Sequence, residues 1–398
     1  MNDWTTLLRP NDLVVVAQGV GEPTPLLEQL LAAAPPGVEA FVGLSHSAAL
    51  TRPTAMPLVS FGGLGPLGRP PHAGRIEVIP AHFDDLPRVL PLRGRDLVLA
   101  VQVTAIDATG GHCLGMAVDH TYPLLERARL VVAEVNAQLP RTTAPEIDRA
   151  RFAACLETSR PLPVIEPPTV TEDVHGAIAA HVTALIPDGA TLQLGIGAVP
   201  TAIGHALTER RGLGVRSTLA GDWLLELATA GALREGPDAV VISEAAGSPE
   251  LYKFVAESGI RVCPVHEVAG PAAAGDVHRF VAVNSALQVD LSGQVNAEEL
   301  PSGFVGGIGG QAEYLRGAQR SAGGRSIVAL PAAAGRHSRI VPRLDPPTVT
   351  TLRSGVDFVI TEYGVADLRG RGLRERAALL TAVAAPEHRA ALAAGGPR

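Results

Sequence analysis

Two glycine-rich turns supply the spacing that can do chemistry in this sequence. In Gly195-Ile196-Gly197-Ala198-Val199-Pro200, a strand-like run (Leu192-Gln193-Leu194) leads into a turn that opens a helical pattern. Glycines at that place let a ligand approach backbone amides at a helix N-terminus, which suits a phosphate or a developing oxyanion. The same glycines also satisfy ordinary strand-to-helix geometry. The third glycine of a dinucleotide fingerprint is missing, and no Gly-Lys-Ser/Thr follows as in a Walker loop. A second cluster, Gly303 to Gln311, places five glycines in eight residues. A residue without a side chain adds little to a core and costs conformational entropy. A backbone-lined ligand site is therefore expected there.

The elements around these turns read as α/β. Short apolar runs at Leu13-Val16, Leu97-Val101, Leu130-Val135, Ala239-Ile242, Ser326-Leu330 and Phe358-Ile360 alternate with glycine turns and helical patterns. Continuous apolar strands between helices predict parallel sheets covered on both faces. The proline-dense stretch Leu162 to Thr169 predicts a boundary between an N-terminal domain (1–168) and a C-terminal domain (169–398). A helix is expected from Glu172 through Ile186 with Thr171 as N-cap. Both halves contain a strand, a glycine turn and a helix, the first at Val14 to Pro23 and the second at Leu192 to Pro200. The expectation is two similar open parallel-sheet domains.

Composition narrows the function. A formal net charge of -7, with dispersed arginines, gives no electrostatic footprint for nucleic acid. The N-terminus lacks the pattern of a signal peptide, and no apolar run reaches the roughly 18 residues of a membrane span, so a cytoplasmic protein with no membrane partner is expected. Cys113, Cys155 and Cys263 stand far apart without metal-ligand spacing, and no metal is expected.

Taken in order, Gly19-Val20-Gly21-Glu22-Pro23, Leu130 to Arg141 (LVVAEVNAQLPR), Leu192 to Ala198, Val283 to Leu287, Asp290 to Val295, Gly306 to Gln311 and Thr361 to Gly370 resemble the acetyl-CoA hydrolase/4-hydroxybutyrate CoA-transferase family. The resemblance covers nearly the whole chain and implies the CoA-transferase fold, acyl-CoA as substrate with a possible second acceptor, and a homodimer. It also implies that Gln193, Gly195, Gly197, Gly306, Gly307, Gly309, Gly310 and Gln311 hold coenzyme A and polarise its thioester, with Asn284 adding a side-chain hydrogen bond. Loops carrying His46, His72, His82, His112 and His120 are candidates for the acyl side.

One position departs from the family. Its nucleophilic glutamate belongs in a segment like Leu-Gly-x-His-Ser-Glu-Met-x-x-Asp-Gly, and the ungapped match with Leu213 to Asp222 puts Thr218 at that glutamate. The family reaction passes through an acyl-glutamyl anhydride and a glutamyl-CoA thioester, and only a carboxylate forms both. A threonine hydroxyl needs an adjacent base, and His175, His181 and His205 reach it only through the fold. Glu244, beside Ser243, and Glu267, next to His266, are the candidate replacement carboxylates, ahead of Glu209 and Glu226. Three functions follow: acyl-CoA processing without a glutamyl-CoA intermediate, by hydrolysis, transfer to a non-carboxylate acceptor, or decarboxylation or rearrangement of a CoA-bound acid; ordinary CoA transfer through another carboxylate; and non-catalytic acyl-CoA binding. The glycine- and alanine-rich walls point to a short or medium acyl group.

Overall fold

The computed structural model describes residues 3–106, 110–166, 168–270 and 276–395. They form two compact units, the first from Met1–Ile165, Val241–Val268 and Ser302–Gly309, the second from Glu166–Val240, Ala269–Pro301 and Gly310–Arg398. The chain thus returns to the first unit twice after leaving it.

In the first unit seven strands form one parallel sheet: β1 (Asp12–Val16), β2 (Glu39–Phe41), β3 (Leu58–Ser60), β4 (Glu77–Val78), β5 (Asp96–Thr104), β6 (Leu130–Asn136) and β7 (Ala154–Thr158), in the order β4-β3-β2-β1-β5-β6-β7. Leu13, Val14, Val15 and Val16 are buried without alternation, as a strand covered on both faces requires. Helix α1 (Thr24–Ala33) buries Leu26, Leu27 and Leu30 in a core shared with Val14, Val16, Val98, Ala100 and Val132. The chain winds one way from β1 and then the other, so β1 and β5 flank a topological switch point, where the carboxyl ends of the strands leave a crevice.

The second unit repeats this logic. Its strands β8 (Thr191–Gln193), β9 (Gly214–Ala220), β10 (Phe280–Asn284), β11 (Arg325–Ala329), β12 (Phe358–Thr361) and β13 (Gly364–Asp367) lie in the order β9-β8-β10-β11-β12-β13. All neighbours are parallel except the closing hairpin β12–β13. Here the switch point lies between β8 and β10. Helix α2 (Ala198–Ala206) follows β8.

The helix expected over Glu172 to Ile186 is shorter and begins differently. A π turn spans Glu172–Gly176 and the α-helix runs over Ala177–Thr183. Thr171 is the N-cap residue as expected, but its side chain bonds no first-turn amide, and its hydroxyl is 3.0 Å from His175 Nδ1. Among the described residues no helix is long and apolar enough to cross a membrane.

Candidate active site

In the first unit the turn Gly19–Gly21 follows β1 at the switch point, and a buried acid pair sits against it. Gly19 has φ +58, and a Cβ there would stand 1.8 Å from Glu244 Oε1. Only glycine lets the carboxyl lie flat on the turn. Glu244 Oε1 accepts the Val20 N–H at 2.9 Å. The strand Val240–Ala245 brings Glu244 there by pairing antiparallel with Ala117 through Val118 N–H to Ser243 O and Ala245 N–H to Met116 O. Asp119, with φ +44, hydrogen-bonds Glu244, accepts from Gln18 Nε2 at 3.1 Å, and donates its backbone N–H to Ser243 Oγ.

Burial dominates the electrostatics of this cluster. It drives the Glu244 carboxyl well above the usual carboxylate range, and the neighbouring Asp119 charge adds to the rise. Asp119 is pushed up to about 7 by burial, against hydrogen bonds from Ser243, Gln18 and Glu244. Two carboxyls in contact inside a dry site do not both ionise, so the pair holds at least one proton near neutrality. Glu22, at the end of the turn, is likewise raised to about 7 by burial, opposed by Ser45, Thr24 and the Arg160 charge. His120 is fully buried against Phe41 and Phe83, and burial lowers it to about 3, so its imidazole is neutral.

The turn is gripped from beneath by polar residues at the carboxyl ends of β5 and β6. Gln102 Nε2 donates to Val20 O at 3.0 Å, and Asn136 Nδ2 holds Gln102 Oε1 at 2.8 Å. Arg160 makes two bonds to the fully buried Glu134 carboxylate, at 2.6 and 2.8 Å, and donates to Glu22 O at 2.8 Å. This explains the acidic and amide residues inside Leu130 to Arg141, which interrupt an otherwise apolar strand. Breaking such a pair leaves a buried charge without its partner, at a cost of about 3–5 kcal/mol. Arg160→Ala is expected to lower the unfolding free energy by about 3 kcal/mol in a denaturant titration.

In the second unit the expected residues gather at the other switch point. Gln193 ends β8, Asn284 ends β10, and Asn284 Nδ2 donates to Gln193 Oε1 at 2.8 Å across it. Gly195 and Gly197 follow β8, and no atom lies within 4 Å of a Cβ built on either. Gly197 has φ +116, a conformation side chains rarely adopt, and it is the N-cap of α2 with no side chain bonding the first-turn amides. In that first turn Ala198 and Val199 carry amides and Pro200 has none, and uncapped amides at a helix N-terminus suit an oxyanion. Thr218 is half-buried on β9, and Ser217 Oγ donates to Leu194 O at 2.6 Å, which ties this stretch of β9 to the strand entering the Gly195 turn. Trp223 Nε1 donates to Gly195 O at 3.0 Å. The Thr218 hydroxyl makes no hydrogen bond among the described residues.

The remaining candidates make contacts of their own. Gly306 O accepts Gly63 N–H at 2.8 Å, Gly307 bridges Gly62, and Gly309 O accepts Phe83 N–H at 2.9 Å. A Cβ on Gly307 would come 2.7 Å from Phe61 O, so this glycine permits two backbones to touch. Gly310 caps the helix Gln311–Arg320, and the buried Gln311 amide donates to Thr351 Oγ1 at 3.3 Å. Glu267 pairs with Arg261 in the first unit, and Glu226 faces His205 at 3.7 Å on the helical surface of the second. No group of three metal-ligating side chains occurs among the described residues. Asp119, Gln18, Gln102 and Glu134 are missing from the expected set, and their signal is a polar residue near the end of a buried apolar run or beside a glycine turn.

Comparison with known proteins identifies the family and the fold. The acetyl-CoA hydrolase/transferase C-terminal domain family matches residues 247–395. The chain is 38% identical over 332 residues to 4-hydroxybutyrate coenzyme A transferase of Clostridium kluyveri, covering 81% of this chain and 77% of that protein. The structure superposes on 4-hydroxybutyrate CoA-transferase from Porphyromonas gingivalis with a TM-score of 0.79 at 32% identity, covering 98% and 95% of the two chains. It superposes on RipA from Yersinia pestis with a TM-score of 0.88 at 26% identity, covering 98% and 94%. With open parallel sheets, glycine turns at both switch points and these relatives, the chain belongs to the acetyl-CoA hydrolase/4-hydroxybutyrate CoA-transferase family.

Proposed function

We propose that this member of an acyl-CoA-processing family acts on its thioester without a glutamyl-CoA intermediate. The observation that supports this most is Thr218, which stands at the family's glutamate position, half-buried on β9, with no base bonded to its hydroxyl. An unassisted hydroxyl is a weak nucleophile and does not form the two covalent states of CoA transfer. Glu244 is a poor substitute, because burial keeps it protonated and the Val20 amide occupies its Oε1. The amides at the N-terminus of α2 remain available to stabilise charge on a thioester oxygen. In the simplest reaction water attacks the carbonyl carbon, the C–S bond breaks, coenzyme A leaves as the thiol and the acid keeps the water oxygen. Transfer to a non-carboxylate acceptor, and decarboxylation or rearrangement of a CoA-bound acid, use the same polarised carbonyl.

Intact-mass analysis of protein incubated with acetyl-CoA, quenched and treated with borohydride, tests the proposal. The expected result is turnover with an unaltered protein mass. A glutamate reduced by borohydride to its alcohol, with coenzyme A released as the thiol, would establish ordinary CoA transfer instead, and binding without turnover would establish a non-catalytic acyl-CoA-binding protein.

A further inference from the structure

The acid pair of the first unit lies against the Gly19–Glu22 turn. Each amide of the Gly19–Glu22 turn has a partner: Gly19 N–H donates to Leu44 O, Gly21 N–H to Gln18 O, and Glu22 N–H to Gly19 O. The Val20 N–H alone is given to an ionisable side chain, Glu244. Asp119 Oδ1 is buried without a conventional donor among the described residues, while Oδ2 takes the Gln18 amide. A proton on Glu244 supplies the missing donor. Without it, two negative charges would meet at a buried site of low polarity.

We infer that Asp119 and Glu244 are positioning residues that share one proton, and that this proton keeps Glu244 on the Val20 amide and so holds the Gly19–Gly21 turn in place. Loss of the proton leaves Asp119 anchored by Gln18 and Ser243, on a backbone already bent to φ +44. Among the described residues Glu244 then keeps one anchor, the Val20 amide, and is the partner that must move. The turn then loses the bond from its central amide while its carbonyls stay held by Gln102 and Arg160.

Other titratable groups surround the pair without setting its protonation. They are Glu22 on the turn with Arg160 and Glu134 beneath it, His46 in the loop of Ser45, and His120 beside Asp119. His266 and Glu267 lie on the helix Val265–Val268, whose Val265 N–H donates to Asp119 O. The groups that act on the two carboxyls are each other, Ser243, Gln18 and the Val20 amide.

The role of this turn in acyl-CoA turnover rests on the function proposed above, so the test reads the turn directly. Hydrogen exchange of the peptide covering residues 18–22 is followed by mass spectrometry from pH 6 to 9, with the intrinsic rate corrected at each pH. Wild-type protection is expected to fall about tenfold across this range. In Glu244→Gln the amide oxygen accepts the Val20 N–H and the amide nitrogen donates to Asp119, with no proton to lose, so protection stays high throughout. Asp119→Asn is expected to flatten the profile in the same way. A wild-type profile without a fall, or a fall that persists in Glu244→Gln, would overturn the inference. These readouts need no turnover, so they stand apart from the fate of the functional proposal. With acetyl-CoA, the alkaline limb of kcat is expected to move to higher pH in Glu244→Gln, a change that a merely structural role would not produce.

Discussion

Thr218→Glu is expected to exchange coenzyme A between acetyl-CoA and labelled acetate at least about 100-fold faster than the wild type, because it restores a nucleophile able to form both covalent states. The half-buried position on β9 has the Gly195 turn beside it, and the Gln193–Asn284 bridge and the α2 amides remain as they are. The same variant should acquire, after acetyl-CoA and borohydride, the reduced glutamate alcohol that the wild type lacks. A variant that folds, binds acetyl-CoA and exchanges no label would mean that the divergence extends beyond this residue. Wild-type exchange as fast as that of the variant would mean that another carboxylate already does the work.

Gly19→Ala should be strongly destabilising to the first unit. The added Cβ would lie 1.8 Å from Glu244 Oε1 and would have to adopt φ +58. The left-handed conformation alone costs about 1–2 kcal/mol. Displacing the buried carboxyl from the Val20 amide raises the total to about 3–5 kcal/mol, at the upper end of single substitutions. Gly197→Ala is the matching control. It meets no atom within 4 Å at φ +116, so it pays backbone strain without a clash. Denaturant titrations of both variants should rank Gly19→Ala as the more destabilised, and equal losses would contradict the close approach of Glu244.

The strands were legible in the sequence where burial on both faces leaves an unbroken apolar run, as at Leu13–Val16 and Leu130–Val135. Short strands such as Glu39–Phe41 and Glu77–Val78 are too brief to show a pattern. The second-unit turn was legible because Gln193, Gly195 and Gly197 are neighbours in sequence. The meeting of Asp119 with Glu244 was not, since no local periodicity records a contact made through tertiary pairing of Ala117 with Glu244. For the same reason the return of Val241–Val268 to the first unit has no sequence signature. The glycines at 306 and 307 teach a different lesson: a residue that adds nothing to a core still packs, by letting another backbone come close.

The Val20–Glu244 bond spans 224 residues of chain. Contacts of such separation close late, since the loop entropy is lost before the bond rewards it. On the ribosome the seven-stranded sheet can assemble once Thr158 has emerged, yet the Val20 amide must wait for Val241–Val268, and the pairing at Gly62 must wait for Ser302–Gly309. Until then the crevice beside β1 is an unfinished surface. A nascent chain arrested before residue 241 would carry a sheet whose turn lacks the bond to its central amide, more open to proteolysis at residues 18–22 than in the finished protein.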